Sequence, residues 1–395
     1  MRTHLALVRE GDRLAGLPVG VGETTLFSLT GRERLKLLFR RLGAAIVEDA
    51  SAIESSDDVL IVNADYVIEE RVLTEFAKVR QAVLVAENEL GDRVVIAAVC
   101  EPAVASDVAA MVEREALADE IPAGFLSVLN VNQIAGNFNE RLRKREEAFV
   151  RKVSPQSRNA IERRLFKGSY KGATDFVTKF VLPEPAFHVT RIAAALRLSP
   201  NFITSISLLL VIAATVLFLR GEFIAGVIAG WLMCFLDTVD GKLARVTLQS
   251  SKFGNLFDHG IDLIHPPFWY AAWAFGAAAT ATAATSEAIW TALWVVNIGY
   301  VVGRLIEGYF IRRHKIEIHI WRPVDYWFRH VTARRNPNLV MLTIAAFAGA
   351  PAVGLFAVAL WTVISIVFHF SRGVAAAQEV RGSSRPQPIH SWLAE

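Results

Sequence analysis

Apolar and polar residues follow two different patterns along this chain. In the first 140 residues, short apolar runs alternate with stretches in which apolar residues recur at helical spacing. Alternating strands and helices are typical of a mostly parallel sheet covered by helices. We therefore predict a soluble α/β domain at residues 1–140. Its expected strands are His4–Val8, Ala44–Val47, Val59–Val62, Ala82–Val85 and Val94–Val99, and its expected helices are Gly31–Leu42, Glu69–Val79 and Ser106–Glu120.

The second half of the chain contains apolar runs of membrane-crossing length. Phe202–Leu219, at a rise of about 1.5 Å per residue, covers about 27 Å of the hydrocarbon core. Overall, 53% of the residues are hydrophobic, which is too apolar for a purely soluble protein. We predict an α-helical integral membrane domain with six transmembrane helices at residues 201–375 and a flexible tail at 376–395. The expected spans are Phe202–Leu219, Gly221–Asp240, Phe253–Ala277, Glu287–Arg312, Leu339–Ala350 with its flanks, and Val353–Arg372.

Basic residues concentrate just before the apolar half. Residues 141–171 hold eleven Lys or Arg and three Glu. Next to membrane helices, such a run favours an anionic lipid surface over nucleic acid. A solvated helical linker remains open as the alternative. Phe187–Leu198 alternates apolar and basic residues in the manner of an interfacial amphipathic helix. We predict that residues 141–200 form a basic linker ending in that helix.

The distribution of Lys and Arg between the loops predicts the orientation in the membrane. Basic residues are frequent in the 312–335 loop, in the loop between the second and third spans, and near the C-terminus. They are nearly absent around residues 220, 283 and 351. By the positive-inside rule, both termini and the second loop face the cytoplasm of a multi-pass protein of the cell (inner) membrane. The N-terminal apolar run is too short for a signal peptide, and two distant cysteines imply no disulfide framework.

Four aspartates stand at the ends of two of the predicted spans. Asp237 and Asp240 are three residues apart and share a helix face, as do Asp258 and Asp262, which are four apart. Each Asp at the centre of a membrane helix costs roughly 2.5–3.5 kcal/mol, so the group needs compensation. Two such helices side by side bring four carboxylates together, which predicts a divalent-metal site with hard oxygen ligands.

The residues between these aspartates fit a phosphate-bearing ligand. Gly241, Ala244 and Gly254 have little or no side chain and let a bulky ligand approach the backbone. Arg245 supplies a guanidinium fork suited to phosphate. Carboxylates that bind metal ions, small residues that leave room for a ligand, and one arginine together indicate an enzyme that catalyses nucleophilic displacement at phosphorus. Taken singly, each residue also fits helix packing or an interhelical hydrogen bond.

The whole stretch from Asp237 to Asp262 reads D-x2-D-G-x2-A-R-x8-G-x3-D-x3-D. This pattern resembles the signature of the CDP-alcohol phosphotransferases, membrane enzymes of phospholipid and polyol-phosphodiester synthesis. The resemblance implies two divalent cations, Mg²⁺ or Mn²⁺, among the four aspartates, with Asp262 as the proton acceptor from the attacking alcohol. It also implies a CDP-linked donor, an alcohol acceptor, release of CMP, and a homodimer.

The same resemblance assigns residues to the CDP donor, and position near the membrane alone suggests basic candidates for a phosphate. In the family, a P-N-x-x-T stretch before the first membrane helix helps bind the CDP donor. The residues implied for the donor are Asn201, Thr204, Gly241, Ala244, Arg245, Ser251 and Gly254. Basic residues at or near membrane depth are candidates for an acceptor or donor phosphate, with interfacial snorkelling as the alternative. Those candidates are Lys179, Arg191, Arg304 and Arg334, and Arg335 also precedes the fifth span.

The order of elements in residues 1–140 is similar to a nucleotidyltransferase domain that some family members carry. Such domains need a Gly-rich loop after the first strand, and Arg9–Gly20 has scattered glycines and two acids instead. Asp65 stands where a metal-binding Asp is expected, or is a turn residue. We expect a catalytically degenerate domain. A bifunctional cytidylyltransferase of the inositol-phosphate type and an ion-coupled transporter remain alternatives. The sequence leaves the donor open between CDP-diacylglycerol and a CDP-polyol.

Overall fold

The structure is a computed structural model that describes residues 13–53, 57–88, 90–382 and 389–394. It divides into two compact units. The first unit comprises the chain up to Arg141, Arg145–Ser169 and the short segment Val246–Leu248. The second unit comprises Leu142–Lys144, Tyr170–Arg245 and the chain from Gln249 onwards. The expected strand His4–Val8 lies outside the described residues.

The first unit is built on a six-stranded sheet with helices. The strand order is β2-β1-β3-β6-β5-β7. The β2–β1, β1–β3 and β5–β7 pairs are parallel, whereas β3–β6 and β6–β5 are antiparallel. The strands are β1 Arg13–Val19, β2 Ala45–Ile46, β3 Asp57–Asn63, β4 Tyr66–Ile68, β5 Ala82–Glu87, β6 Arg93–Cys100, β7 Ser127–Asn130, β8 Phe138–Asn139, β9 Lys144–Arg145 and β10 Val150–Lys152. The helices of residues 13–169 are α1 Gly31–Leu42, α2 Glu70–Phe76, α3 Ala105–Glu113, α4 Val131–Ile134 and α5 Arg158–Gly168.

The sheet is mixed rather than mostly parallel, and it contains a strand that the pattern did not predict. β5 and β6 are separated by only residues 88–92, which leaves no room for a crossover helix and makes the pair antiparallel. β1 occupies Arg13–Val19, where we expected the remains of a phosphate loop. Its last five residues are buried, so this segment is a core strand of the sheet.

Helix α1 forms where the apolar spacing predicts it, and its ends show why. The Thr30 hydroxyl accepts a hydrogen bond from the Glu33 backbone N–H, and the Glu33 carboxylate accepts one from the Thr30 backbone N–H. Gly43 ends the helix with φ of 75°, a conformation that favours glycine. Leu35, Leu38 and Phe39 face the core.

The basic region after residue 141 is not a linker over most of its length. β10 pairs antiparallel with β4, and Ile161 of α5 packs with Leu26 and Val67 in a small apolar cluster. Several of its cations are ion-paired, including Lys152 with Glu115 and Arg164 with Glu146. Residues 145–169 are therefore part of the first unit, in contrast to the expected boundary near residue 140.

The second unit is helical. It opens with a π-helical segment at Val177–Val181 and then contains α6 Pro183–Ala195, α7 Pro200–Leu219, α8 Phe223–Val246, α9 Lys252–Ala278, α10 Ala283–His314, α11 Pro323–Arg329, α12 Arg335–Phe347 and α13 Pro351–Gly382. Within the described residues, four helices are long and apolar enough to cross a membrane, namely α7, α8, α10 and α13.

All six expected spans are thus helical, but two of them, α9 and α12, are not both long enough and apolar enough to count as candidate membrane spans. α12 has 13 residues, about 20 Å of helix, which is shorter than a hydrocarbon core. α9 carries two aspartates, two histidines and an internal proline pair in its first sixteen residues. The six-span topology is not confirmed, and the structure supports four candidate spans.

The C-terminal region also differs from the expected flexible tail. α13 continues to Gly382, about ten residues beyond the predicted end of the last span. Further on, Ile389 is buried and packs with Phe310, Ile318 and Trp321. Ser391 donates a hydrogen bond to the Ile320 carbonyl at 2.8 Å. These contacts order the described end of the chain against α10 and the 318–321 turn.

Candidate active site

The predicted aspartates come from the hairpin of α8 and α9. α8 runs unbroken past Asp237 and Asp240 to Val246, and the chain then turns. Ser251 starts α9 by accepting a hydrogen bond from the Gly254 backbone at 2.9 Å. This cap sets the first turn of the helix that carries Asp258 and Asp262. The hairpin therefore brings two helix faces with acidic residues together, as their spacing predicts.

Three of the four carboxylates form one compact group. Asp237, Asp240 and Asp258 each offer an oxygen, and these atoms all lie within 4.8 Å of one another. Asp240 is buried and accepts a hydrogen bond from the Thr204 hydroxyl at 2.6 Å. Its other oxygen, Oδ1, is buried and has no hydrogen-bond partner among the described residues. Buried carboxylates cost free energy unless they are paired or bind a cation, so this donor set fits a divalent metal ion.

Arg335, at the start of α12, links the two acidic helices. Its Nη2 donates to Asp237 Oδ2 at 2.7 Å, and its Nη1 donates to Asp262. The Arg335 and Asp237 side chains are each 16% exposed, so this ion pair lies largely away from bulk water. The Asp262 side chain is 42% exposed and is held by this arginine rather than within the compact group. One guanidinium thus offsets part of the charge of the aspartates.

The residues implied for the CDP donor lie at the first turns of α7 and α9 and at the last turns of α8. A Cβ atom at Gly254 would lie only 2.7 Å from the Asn201 amide oxygen, so a larger residue there would displace the Asn201 side chain. Thr204 reaches Asp240. On α8, the Arg245 guanidinium lies 3.7 Å from the Cβ position of Gly241, and the Ala244 carbonyl accepts from the Ser250 hydroxyl at 3.1 Å.

Two of the candidate phosphate-binding residues lie in one buried polar cluster. Arg304 and Arg334 both pair with Glu307, at 3.2 Å and 2.5 Å. His319 contacts the same carboxylate at 3.2 Å and the Arg334 guanidinium at 3.1 Å. Two arginines against one glutamate leave the cluster positive. Arg334 is adjacent in sequence to Arg335, which touches the aspartates.

The other two candidates have aromatic neighbours. Lys179 donates to the Tyr326 hydroxyl, and its ammonium also lies 4.4 Å from the centre of that ring. Arg191, on α6, lies with its guanidinium 5.6 Å from the centre of the Phe187 ring. Both arrangements are cation–π contacts of the kind that hold a basic side chain near an interface.

A second buried acid lies behind Arg335. Asp175 is 7% exposed and accepts hydrogen bonds from the Thr178 backbone and hydroxyl, and from the Asn336 amide at 3.1 Å. Burial acts to raise its pKa, but these hydrogen bonds and the nearby Arg329 charge outweigh burial and lower the pKa of Asp175. The carboxylate is therefore ionised at neutral pH.

In the first unit, Asp65 makes hydrogen bonds to nearby backbone and side-chain groups. Its Oδ1 accepts from the Gly22 backbone at 2.8 Å, and its own N–H donates to the Asn63 side chain at 2.9 Å. Gly20, with φ of 77°, approaches it so closely that a Cβ there would lie 2.8 Å from Asp65 Oδ2. This is the geometry of a turn residue, the second of the two interpretations that the sequence left open.

Sequence patterns missed the contribution of Arg335, Asn336 and Asp175. Arg335 lies 98 residues from Asp237 and 73 from Asp262 along the chain. Helical periodicity relates residues within a few turns and says nothing across such a distance. The one local signal was the pair of arginines directly before an apolar run, which marked a basic position without its partners.

Part of the helical region is similar to known proteins. Residues 197–368 match the model of the CDP-alcohol phosphatidyltransferase family. The chain is 38% identical over 80 residues to an archaetidylinositol phosphate synthase of Pyrococcus horikoshii, covering 20% of this chain and 42% of that protein. It is 35% identical over 95 residues to a phosphatidylinositol phosphate synthase of Streptomyces avermitilis, covering 24% of this chain and 37% of that protein. The chain thus spans less than half the length of these curated relatives.

Solved structures of the Mycobacterium tuberculosis phosphatidylinositol phosphate synthase are also similar. The apo structure aligns with a TM-score of 0.37 at 19% identity, covering 47% of this chain and 94% of that chain. The structure with CDP-DAG bound aligns with a TM-score of 0.37 at 18% identity, covering 48% of this chain and 92% of that chain.

Proposed function

We propose that this protein, whose residues 197–368 belong to the CDP-alcohol phosphatidyltransferase family, transfers a phosphatidyl-type group from a CDP-linked lipid to a phosphorylated polyol and releases CMP. The observation that carries the proposal is the compact group of Asp237, Asp240 and Asp258, with Asp262 beside it on Arg335. Both curated relatives are named as synthases of a lipid-linked inositol phosphate, which favours a phosphorylated polyol as the acceptor.

The reaction is a displacement at phosphorus. The acceptor hydroxyl oxygen forms a bond to the phosphorus that carries the lipid, the bond from that phosphorus to the CMP oxygen breaks, and CMP leaves with the electron pair. Divalent cations bound by Asp237, Asp240 and Asp258, Mg²⁺ or Mn²⁺, supply charge neutralisation for the diphosphate and for the leaving group. Asn201, Thr204, Gly241, Ala244, Arg245, Ser251 and Gly254 form the donor pocket in this proposal.

Asp262 accepts the proton of the attacking hydroxyl. It is the more accessible of the two carboxylates that pair with Arg335. A carboxylate is a weak base, so its position beside the attacking hydroxyl decides the proton transfer. Asp237 is less exposed and shares Arg335, which suits a ligand that fixes the group in place.

The acceptor phosphate is assigned to the positive cluster around Glu307. Arg304 and Arg334 hold fixed positions on that carboxylate while keeping a net positive charge. Arginine forks match phosphate oxygens in pairs, and their burial strengthens the attraction. Lys179 and Arg191 lie among aromatic side chains and fit lipid headgroup contact better.

The proposal places the protein in the cell (inner) membrane as a multi-pass homodimer, with the aspartates and both termini on the cytoplasmic side. The four candidate spans and the basic loops support this arrangement. The α/β unit is proposed to be a degenerate nucleotidyltransferase-like domain without catalysis of its own.

The test is a lipid-product assay on the purified protein with Mg²⁺. CDP-diacylglycerol is offered with inositol, inositol phosphate, glycerol phosphate or serine in turn, and lipid products are identified by mass spectrometry. We expect product with a phosphorylated polyol and none with its unphosphorylated counterpart. Product only from a CDP-polyol and a lipid alcohol would reverse the donor assignment. Equal amounts of lipid product with inositol and with inositol phosphate would contradict the assignment of the acceptor phosphate to Arg304 and Arg334.

A further inference from the structure

A chain of buried polar side chains runs from Asp175 to the aspartate group. Asn336 Oδ1 accepts a hydrogen bond from Arg335 Nε at 3.1 Å, and Asn336 Nδ2 donates to Asp175 Oδ1 at 3.1 Å. Arg335 then reaches Asp237 and Asp262 with its two terminal nitrogens. Asn336 is 4% exposed and Asp175 is 7% exposed, so water competes little for either. All three guanidinium nitrogens of Arg335 are thereby engaged.

The two partners of Asn336 fix the orientation of its amide. Nδ2 donates both to Asp175 and to the Thr178 hydroxyl, at 3.1 Å and 3.0 Å. Since both of those bonds need the NH₂ end, the oxygen end must face Arg335. With the amide turned round, a donor would face the guanidinium, which has only donors. Asp175 therefore decides which end of Asn336 meets Arg335.

Helix capping accounts for only part of the environment of Asp175. The Thr178 backbone donates to Asp175 Oδ1 at 3.0 Å, as at an ordinary helix start. The bond from Asn336 comes from a residue 161 positions away and contributes nothing to capping. A capping residue can also be Ser, Thr or Asn, whereas a charged acceptor of Asn336 is specific to an acid.

We propose that Asp175 and Asn336 are positioning residues that hold the Arg335 guanidinium across Asp237 and Asp262, and that through Arg335 they limit how tightly the aspartate group binds a divalent cation. The inference rests on the proposed function in one respect, the use of the aspartates as a metal site.

The direction of the effect follows from charge and from ligand competition. Arg335 occupies Asp237 Oδ2 at 2.7 Å and one oxygen of Asp262, so those atoms are less available to a cation. Its positive charge also repels a cation at short range. In return it reduces the repulsion among the acids and fixes their orientation. A loosened Arg335 should therefore give tighter metal binding.

The experiment measures Mn²⁺ binding to the purified full-length protein in detergent, with free Mn²⁺ followed by electron paramagnetic resonance. Asn336→Leu removes both the acceptor for Arg335 and the donor to Asp175. Asn338→Leu is the matched control, because Asn338 lies on the same helix, is 3% exposed, and bonds the Tyr270 hydroxyl instead. Thr178→Val is a milder substitute if Asn336→Leu does not fold, since its hydroxyl serves both Asp175 and Asn336.

We expect Asn336→Leu to bind Mn²⁺ about three- to tenfold more tightly than wild type, the scale of one ordinary intramolecular hydrogen bond. Asn338→Leu should bind like wild type. Unchanged affinity in Asn336→Leu, or affinity weakened as in a generally loosened protein, would overturn the inference. Absence of Mn²⁺ binding in wild type would instead contradict the metal site of the proposed function, a separate result.

Two further variants separate positioning from capping. Asp175→Ser keeps an oxygen for the Thr178 backbone but cannot hold Asn336, so we expect it to tighten Mn²⁺ binding as Asn336→Leu does. Wild-type affinity in Asp175→Ser would show a capping role only and would overturn the inference. In an Arg335→Lys background, which lacks Nε, Asn336→Leu should have no further effect. An undiminished effect there would mean that Asn336 does not act through Arg335.

Discussion

Asp262 differs from the other three aspartates in its surroundings. Its side chain is 42% exposed and is held by Arg335, while Asp237, Asp240 and Asp258 bring their oxygens within 4.8 Å of one another. Asp240 is further fixed by the Thr204 hydroxyl. Three carboxylates thus converge on one point, and the fourth is more exposed. This difference leads to a test with two single substitutions.

We expect Asp262→Asn to keep donor binding and to lose transfer by about 10²- to 10⁴-fold, the usual contribution of one general base. Asn keeps the size of the side chain but removes its charge and basicity. Asp237→Asn should lose metal and donor binding together, because that residue belongs to the compact group. Equilibrium binding of the CDP donor and the rate of CMP release, both at saturating Mg²⁺, distinguish the two. Equal loss of donor binding in both variants would make Asp262 chiefly a metal ligand.

Local spacing was enough to predict which aspartates share a helix face. Asp237 with Asp240, and Asp258 with Asp262, are within one turn of each other, and the residues between them keep the helices intact. Arg335 could not be assigned in the same way, since its partners are 73 and 98 residues distant. A long-range ion pair depends on how helices pack against each other. The periodic pattern within one segment therefore cannot predict it.

The packing of α7 against α9 holds the acidic face of α9 in place. Gly276 on α9 approaches α7 so closely that a Cβ there would lie 2.0 Å from the Phe218 carbonyl oxygen. The Phe218 ring also lies 5.1 Å from the Trp273 ring, and both side chains are fully buried. The crossing of these helices is therefore set by backbone contact at one glycine.

We expect Gly276→Ala to destabilise the protein by roughly 1–3 kcal/mol, as overpacking of a tight contact does. The added methyl group must push α7 and α9 apart, because backbone atoms cannot turn away. Gly303→Ala is the matched control, since that glycine is also helical and a Cβ there meets no atom within 4 Å. Thermal unfolding in detergent is the measurement. A melting temperature that falls equally in both variants would argue against the close contact.

The bounds of the helices were largely predictable, whereas sheet direction and the chain end were not. Apolar length and flanking polar residues placed α7 and α8 within a few residues of their observed starts. The antiparallel pairing of β5 with β6 could not be predicted, because each strand by itself is a short apolar run that gives no direction. The burial of Ile389 is explained by its packing against Phe310 and Trp321, which lie far from it in the sequence.

The whole chain combines an α/β unit and a helical unit, and within the described residues only the second carries a compact group of acids that could hold a metal ion. In the first unit, Asp65 is occupied by the Gly22 and Asn63 contacts of a turn. Arg13–Val19 is a buried strand, which removes part of the segment where a triphosphate-binding loop was expected.

We therefore expect no formation of a CDP-alcohol from CTP by the full-length protein. The measurement is pyrophosphate release from CTP in the presence of Mg²⁺ and a polyol phosphate, with CMP release from a CDP donor as the control for activity. Pyrophosphate release that disappears in Asp65→Asn would reveal a working nucleotidyltransferase and contradict the expectation. A bifunctional enzyme would then replace the proposal of a degenerate domain.

CMP is the shared product of every reaction proposed for this site, whatever the acceptor. The decisive measurement is CMP release from CDP-diacylglycerol by the purified protein with a phosphorylated polyol, in Mg²⁺, in EDTA, and in EDTA followed by excess Mg²⁺. We expect turnover with Mg²⁺, none in the chelator, and recovery on re-addition, because Asp237, Asp240 and Asp258 form an oxygen donor set that needs a cation. Full CMP release in EDTA would contradict the proposed metal-dependent transfer.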